Sequence, residues 1–256
     1  MQPNIIATPA GIACPVCQAA TVIHDVLDFN KICLEDRQHS MPLCGWPVYY
    51  HRCTDCGFVL APEFGRWSEQ DFQQHVYNER YVEIDPDYVS ARPLGNADFL
   101  QQLFGEQSAE IRHQDYGGGS GVLSDKLSER GWNSSSFDPF PRSERTVGDL
   151  GKFNLVTAFE VFEHVPDVNE LMDNITALME DECVVIFSTL LSDGNIEPNK
   201  RLTWWYAAPR NGHISLFSKQ SLIKLAEQRG LQFGSFNGGL HCIFNRLPRW
   251  ASKLTG

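Results

Sequence analysis

Four glycines in five residues, Gly117-Gly118-Gly119-Ser120-Gly121, exclude a packed strand or a stable helix interior at that point of the chain. Glycine has no side chain to bury and loses the most backbone freedom on ordering. The run suits a sharp turn where backbone comes close to another group. Directly after it, Val122, Leu123 and Leu127 share one helical face, and Gly131 is placed as a C-terminal stop. The order is strand, glycine loop, helix, which aims backbone N–H groups and a helix N-terminus at a ligand.

Spacing narrows the choice of ligand. The dinucleotide fingerprint needs G-x-G-x-x-G/A, but counting from Gly117 or Gly119 its last position falls on Val122 or Ser124, which disfavours a dehydrogenase. A phosphate-binding P-loop needs Gly-Lys-Ser/Thr, and no such triplet follows. Phe137-Asp138-Pro139-Phe140 puts a carboxylate about 20 residues after the loop, where a doubly wound fold ends its second strand. A carboxylate there can accept hydrogen bonds from both hydroxyls of a ribose; the plainer reading is a turn aspartate before proline. The segment Asp115–Gly121 resembles the D-x-G-x-G-x-G loop of class I S-adenosylmethionine-dependent methyltransferases. That resemblance implies a cofactor site made of Asp115, Gly117, Gly118, Gly119, Gly121, Asp138 and Pro139, joined by Phe159 and Glu160 from a later strand end.

The chain has 256 residues, enough for one large domain or one plus a small module, and a hydrophobic content of 42% supports a substantial core. A formal charge of −11 argues against a broad nucleic-acid-binding face. No apolar run reaches the roughly 18 residues of a membrane span. Met1 to Ile12 has neither a basic start nor a long apolar core, so a secretory leader is not expected and the protein reads as soluble and cytoplasmic. Oligomeric state is not legible.

Six of the eight cysteines precede residue 57. Cys14-Pro15-Val16-Cys17 and Cys53-Thr54-Asp55-Cys56 are two C-x-x-C knuckles, each holding two thiolates on one tight turn. Two such pairs supply the four soft ligands of a closed tetrahedral zinc site, whereas a redox pair would need flanks that are not seen here. The 35 residues between the knuckles exceed the usual ribbon spacing, so that stretch must be folded back. Cys33, Cys44 and His51 are substitutes for a missing ligand, the two cysteines reading better as small buried hydrophobes. Val48-Tyr49-Tyr50 and Phe58-Val59-Leu60 are short β-prone runs around the second knuckle, as in a zinc ribbon.

Helices are expected over Ser68–Tyr77, continued by Tyr77–Tyr81, and over Ala97–Phe104, with a module boundary between residues 66 and 92. Glu110–Gln114 takes the place of the first strand by position, although it is polar for a central one. Trp132–Phe137, Phe153–Phe159 and Cys183–Phe187 read as further strands, the last two as buried parallel ones. Only 14 residues separate Asp138 from Phe153, so that edge of the sheet is expected to be trimmed. Asp167 caps a helix through Met179, with Glu170 completing a capping box; Ser218 caps another through Arg229. Asn237-Gly238-Gly239 reads as a hairpin turn between Leu231–Phe233 and Leu240–Phe244.

Phe159-Glu160-Val161-Phe162-Glu163-His164-Val165 is similar to the post-strand-four motif of small-molecule methyltransferases, and Gly212–Ser218 to the turn before their last helix. The cysteine module resembles the zinc-binding domain fused to some sugar and natural-product methyltransferases. The expected architecture is α/β: a Rossmann-like sheet closed by a C-terminal antiparallel hairpin, plus a small zinc-ribbon-like module. The divisions are 1–66, a helical linker 67–92, and a catalytic domain 93–256.

Methyl transfer is a displacement for which the protein mainly supplies alignment and desolvation. An oxygen acceptor also needs a base. Candidates are Glu160, Glu163, His164, His213 and His241, with His213, Glu160 and His164 preferred as catalytic; Trp204, Trp205 and Tyr206 read either as core residues or as a substrate wall, their place in a loop beside Pro and Gly leaning toward the wall. The expected partner is a small-molecule acceptor, a sugar or secondary metabolite. The alternative is a protein-directed or non-catalytic module whose zinc domain docks a macromolecule.

Overall fold

A computed structural model describes residues 11–37, 39–140 and 145–255. Most of the N-terminal stretch examined for a leader therefore lies outside the described residues. The chain begins as a small antiparallel sheet. Strand β1 (Thr21–Asp28) pairs with β2 (Pro47–Cys53), and β2 with β3 (Val59–Leu60). Both expected β-prone runs form strands, and the knuckles lie before β1 and between β2 and β3.

Three helices follow. Ser68 starts α1 (Glu69–His75) with a reciprocal capping box to Asp71. Next come α2 (Tyr81–Ile84) and α3 (Ala91–Phe104). The last begins six residues before the expected Ala97. Pro93 falls in its first turn, where a missing N–H leaves no intrahelical bond unmade.

The second sheet contains β4 (Arg112–Tyr116), β5 (Asn133–Phe137), β6 (Phe153–Phe159) and β7 (Met179–Ser188), all parallel. Helix α4 (Val122–Glu129) follows β4, and α5 (Val168–Leu178) joins β6 to β7. After β8 (Ser215–Leu216) and α6 (Lys219–Glu227) come β9 (Gln232–Ser235) and β10 (Leu240–Phe244), which close the sheet antiparallel in the order β5-β4-β6-β7-β10-β9. The Rossmann-like sheet and its C-terminal hairpin are as expected. Among the described residues β5 is an edge strand with nothing outside it, which is the trimmed edge.

Two local expectations change. Asp167 accepts from the Asn169 and Glu170 N–H groups, so its cap forms, but the reciprocal half of the capping box is not made. Met179 fits the helical spacing but begins β7, because the ladder with Phe153 captures it. The apolar stripe Val168, Leu171, Met172, Ile175 and Leu178 is buried against the sheet, stabilising by about 1.5–3 kcal/mol per side chain.

The polar first strand has a lateral explanation. His113 is fully buried, with Nδ1 2.7 Å from Ser134 Oγ and Nε2 2.9 Å from Thr157 Oγ1. Thr157 in turn donates to Asp115 Oδ1 at 2.6 Å, and Ser135 donates to Gln114 Oε1 at 2.8 Å. Side chains of β5 and β6 thus satisfy β4 across the sheet, which removes the cost of burying them. A search for apolar runs cannot see that arrangement.

Strand β8 lies outside the six-stranded sheet and completes the N-terminal one, with Val59 opposite Leu216 and Leu60 opposite Ser215. One apolar core is continuous across both parts: Cys14, Cys53, Cys56 and Phe58 pack with Phe162, Phe187, Phe217 and Leu222.

Candidate active site

The glycine loop is shaped by two close approaches. A Cβ on Gly118 would lie 2.3 Å from both Asp115 Oδ2 and Ser136 Oγ. A Cβ on Gly117, whose φ is +74°, would lie 2.5 Å from Val161 Cγ2. Glycine is thus required at Gly118 by space, and at Gly117 by space as well as by dihedral angle. The Gly119 N–H donates to Asp138 Oδ2 at 2.7 Å, and the Phe140 N–H to Asp138 Oδ1 at 2.8 Å. Asp138 is therefore held at the lip of the loop, half-buried, with free lone pairs on both oxygens. Gly121 caps α4. The two acids, the four glycines and Pro139 converge on one end of the parallel sheet, where open α/β sheets bind their ligands.

Asp115 is 3% exposed. Burial pushes its carboxyl up from 3.8 to about 7, against the opposing hydrogen bond from Thr157. A carboxyl whose pKa is raised on folding stabilises the fold below its unfolded pKa and loses that contribution as pH climbs through the folded one. Between these values the penalty grows toward roughly 4 kcal/mol. Asp115→Asn is therefore expected to exceed the wild type in urea stability by a margin that widens from pH 5 to pH 8. An equal margin at both pH values would show that the carboxyl does not titrate there.

Glu160 follows β6 with φ +54°, a left-handed conformation that a non-glycine residue adopts only under constraint. Its constraint is visible. The Glu160 N–H donates to Ser188 Oγ, and the Ser188 hydroxyl donates back to Glu160 Oε1, both at 2.8 Å. Arg92 Nη1 lies 3.5 Å from Glu160 Oε2 and its other nitrogen pairs with Asp85. Sequence patterning gave no signal for Arg92 or Asp85.

Deeper in, Glu163, His164 and His213 come together. Each offers a ligand-type atom within 4.8 Å of the others, and the two imidazoles stand 4.9 Å apart at 73°. The Tyr206 hydroxyl donates to Glu163 Oε1 at 2.5 Å. His213 Nδ1 is 2.8 Å from the Tyr206 carbonyl, so Nδ1 carries the proton and Nε2 is left as the acceptor. Burial raises Glu163 to about 8 and lowers His164 to about 4, and it pushes His213 well below its usual value. Tyr77 links this cluster to the loop side: its ring lies 5.1 Å from Phe140 and 6.3 Å from His164.

His241 lies apart from the cluster. It is fully buried with both ring nitrogens occupied, by Ser235 Oγ at 2.9 Å and the Thr189 carbonyl at 3.0 Å. Trp204 and Tyr206 are buried core residues and only Trp205 is partly exposed, at 37%. The three rings pack as one group, with Tyr206 5.1 Å from Trp204 and 5.5 Å from Trp205.

The segment 204–213 is anchored by the N-terminal module. Lys31 Nζ donates to the carbonyls of Trp204 and Ala207 at 2.9 and 2.7 Å. Tyr50 donates to the His213 carbonyl at 2.7 Å, and the Cys33 N–H to Asn211 Oδ1 at 2.9 Å. These anchors join residues more than 160 positions apart, and no local pattern announces them.

All four knuckle thiols gather within 4.8 Å, with Cys14 and Cys56 sulfurs 3.7 Å apart and Cys17 and Cys53 sulfurs 3.4 Å apart. A tetrahedron with Zn–S bonds of about 2.3 Å has edges of about 3.8 Å, so the cluster fits zinc. No disulfide competes, as all eight cysteines are free. Cys33, Cys44 and His51 stand outside the cluster. Contrary to the sequence reading, Cys44 is exposed, its thiol turned to Asp28 Oδ1 at 3.3 Å, and Cys33 is half-buried beside His213 Nδ1 at 3.5 Å.

A family described as "Methyltransferase domain" matches residues 88–234, more than half of the chain. The chain belongs to this family and is a methyltransferase. An O-methyltransferase family protein from Burkholderia thailandensis has a similar fold, with a TM-score of 0.50 at 14% identity over 73% of this chain and 67% of that one. A 1,6-didemethyltoxoflavin N1-methyltransferase from the same organism, solved with its substrate and S-adenosylhomocysteine, gives 0.48 at 16% identity over 75% and 95%. No curated protein matches the sequence significantly. Among the described residues no helix is long and apolar enough to cross a membrane.

Proposed function

We propose that the protein transfers a methyl group from S-adenosylmethionine to a small molecule, with a sugar or secondary metabolite as the acceptor class. The observation that carries this reading is the Asp138 carboxylate seated on the Gly119 N–H at 2.7 Å, beside glycines that tolerate no side chain. A loop so bare of side chains suits the amino acid part of the cofactor, and Asp138 suits its ribose. Asp115, Gly117, Gly118, Gly119, Gly121, Asp138, Pro139, Phe159 and Glu160 would make up that site. When bound, the cofactor supplies an electrophilic methyl carbon on a sulfonium centre. The chain's own share is alignment and exclusion of water. In that role Tyr77 packs between Phe140 and His164, and Glu160, His164 and His213 serve the acceptor.

Zinc on Cys14, Cys17, Cys53 and Cys56 belongs to the same proposal as a structural ion. The division into 1–66, 67–92 and 93–256 is retained as a proposal too, with β8 as the strand that crosses it. A small acceptor is favoured over a macromolecular one because Glu163 and His213 are buried, with the Tyr206 hydroxyl on Glu163 and Tyr81 donating to the neighbouring Asn211 carbonyl.

Calorimetry with S-adenosylmethionine is the direct test. Asp138→Ala is expected to weaken binding about ten- to hundredfold, the effect of losing hydrogen bonds worth about 1.5–3 kcal/mol to a charged acceptor. A folded variant with unchanged affinity would make Asp138 a turn residue only. No heat from the wild type would instead favour a non-catalytic docking role. A metabolite methylation screen with the same protein then identifies the acceptor.

A further inference from the structure

The geometry points to a second metal site, distinct from the cysteine cluster: a divalent transition-metal ion held by Glu163, His164 and His213. Three observations converge. The three side chains each present a ligand-type atom within 4.8 Å of the others. Glu163 Oε2 and His164 Nδ1 are buried with no hydrogen-bond partner, and Glu163 is fully buried. The remaining polar atoms are already committed in ways that orient the donors. Tyr206 donates to Glu163 Oε1 and leaves Oε2 as the free oxygen; the Tyr206 carbonyl takes His213 Nδ1 and leaves the Nε2 lone pair available.

Unpartnered buried polar atoms destabilise a fold, and two of them on neighbouring members of one cluster ask for a common partner. A cation answers both, together with the His213 nitrogen. The partners of Glu163 and His213 are the kind that hold metal ligands in place: a hydroxyl on the carboxylate and a backbone carbonyl on the far imidazole nitrogen. Two imidazoles and one carboxylate suit zinc, iron(II) or manganese(II) rather than calcium or magnesium, which take oxygen ligands. Three protein ligands leave coordination positions open, as in sites that receive an oxygen atom from water or a bound molecule. The ligand class that fits those positions is a hydroxyl or enol oxygen of the acceptor. This last step rests on the proposed methyl transfer; the metal site itself does not.

The test reads metal alone, without cofactor or acceptor. Full-length protein is stripped, reloaded with cobalt(II) and examined by metal analysis and absorption spectroscopy. Two equivalents are expected: one with the intense thiolate-to-cobalt bands of the cysteine cluster, and one with only the weaker bands of nitrogen and oxygen ligands. His164→Ala/His213→Ala should lose the second equivalent and keep the thiolate bands, which also report that the N-terminal fold is intact. Glu163→Gln, nearly unchanged in volume, should weaken the second equivalent at least tenfold and serves if the double variant does not fold. A wild type that takes up only the thiolate-bound equivalent would overturn the site, as would a second equivalent that survives both variants. Either negative result leaves the calorimetric test of cofactor binding untouched.

Discussion

His213→Ala is expected to lower the methylation rate about 10²–10⁴-fold, the range typical of losing acid–base assistance to the acceptor, whether Nε2 takes the proton itself or holds the ion that acidifies the acceptor oxygen. Affinity for S-adenosylmethionine should stay within a few-fold, because the imidazole belongs to the cluster under the segment 204–213 and the cofactor loop is built by other residues. The prediction separates three situations. A group acting on the acceptor lowers the rate alone. A group that merely packs the loop lowers melting temperature and cofactor affinity together, since its Nδ1 pins the Tyr206 carbonyl. Full activity in a folded variant removes both roles and moves attention to Glu160 and to the Glu163–His164 pair. Steady-state rates, cofactor calorimetry and a melting curve on one preparation are sufficient.

Loss of the metal proposed for the four thiolates should have the largest effect on stability. Structural zinc contributes on the order of 10 kcal/mol in small zinc-dependent folds, comparable with the roughly 5–15 kcal/mol stability of a whole domain. Chelation, or Cys53→Ser, is therefore expected to lower the melting temperature sharply and to abolish activity with it. The second effect follows from the anchors: Lys31 and Tyr50 of the N-terminal module hold the carbonyls of Trp204, Ala207 and His213. Thiolate-to-cobalt bands should vanish in Cys53→Ser. An unchanged melting curve after metal removal, or wild type without such bands, would show the cysteines to be incidental.

The parts of the fold legible in the sequence were those with local signatures. Glycine spacing and the downstream Asp138 marked the loop, the apolar run Phe153–Phe159 marked β6, and the helical stripe of α5 was right to within one residue. The knuckle cysteines were grouped correctly because two short spacings leave few ways to gather four sulfurs. Strand β4 was placed by position alone, since its polar residues are satisfied by Ser134, Ser135 and Thr157 on neighbouring strands. On the acceptor side, Glu163, His164 and His213 were all candidates, but nothing local showed that the last lies against the first two. Arg92, Lys31 and Tyr50 were missed for the same reason: each acts on a partner brought near only by the folded topology.

The pairing of β3 with β8 sets an order of events during synthesis. Val59 emerges from the ribosome long before its partner Leu216, so the N-terminal sheet carries an unpaired edge until most of the chain has been made. Contacts of such sequence separation slow folding, and an open strand edge invites pairing with another chain. Among described residues that edge is only Val59 and Leu60 long, and so short an edge is a poor template for pairing. A fragment ending near residue 66 would keep that short edge open permanently, whereas the full chain closes it from within.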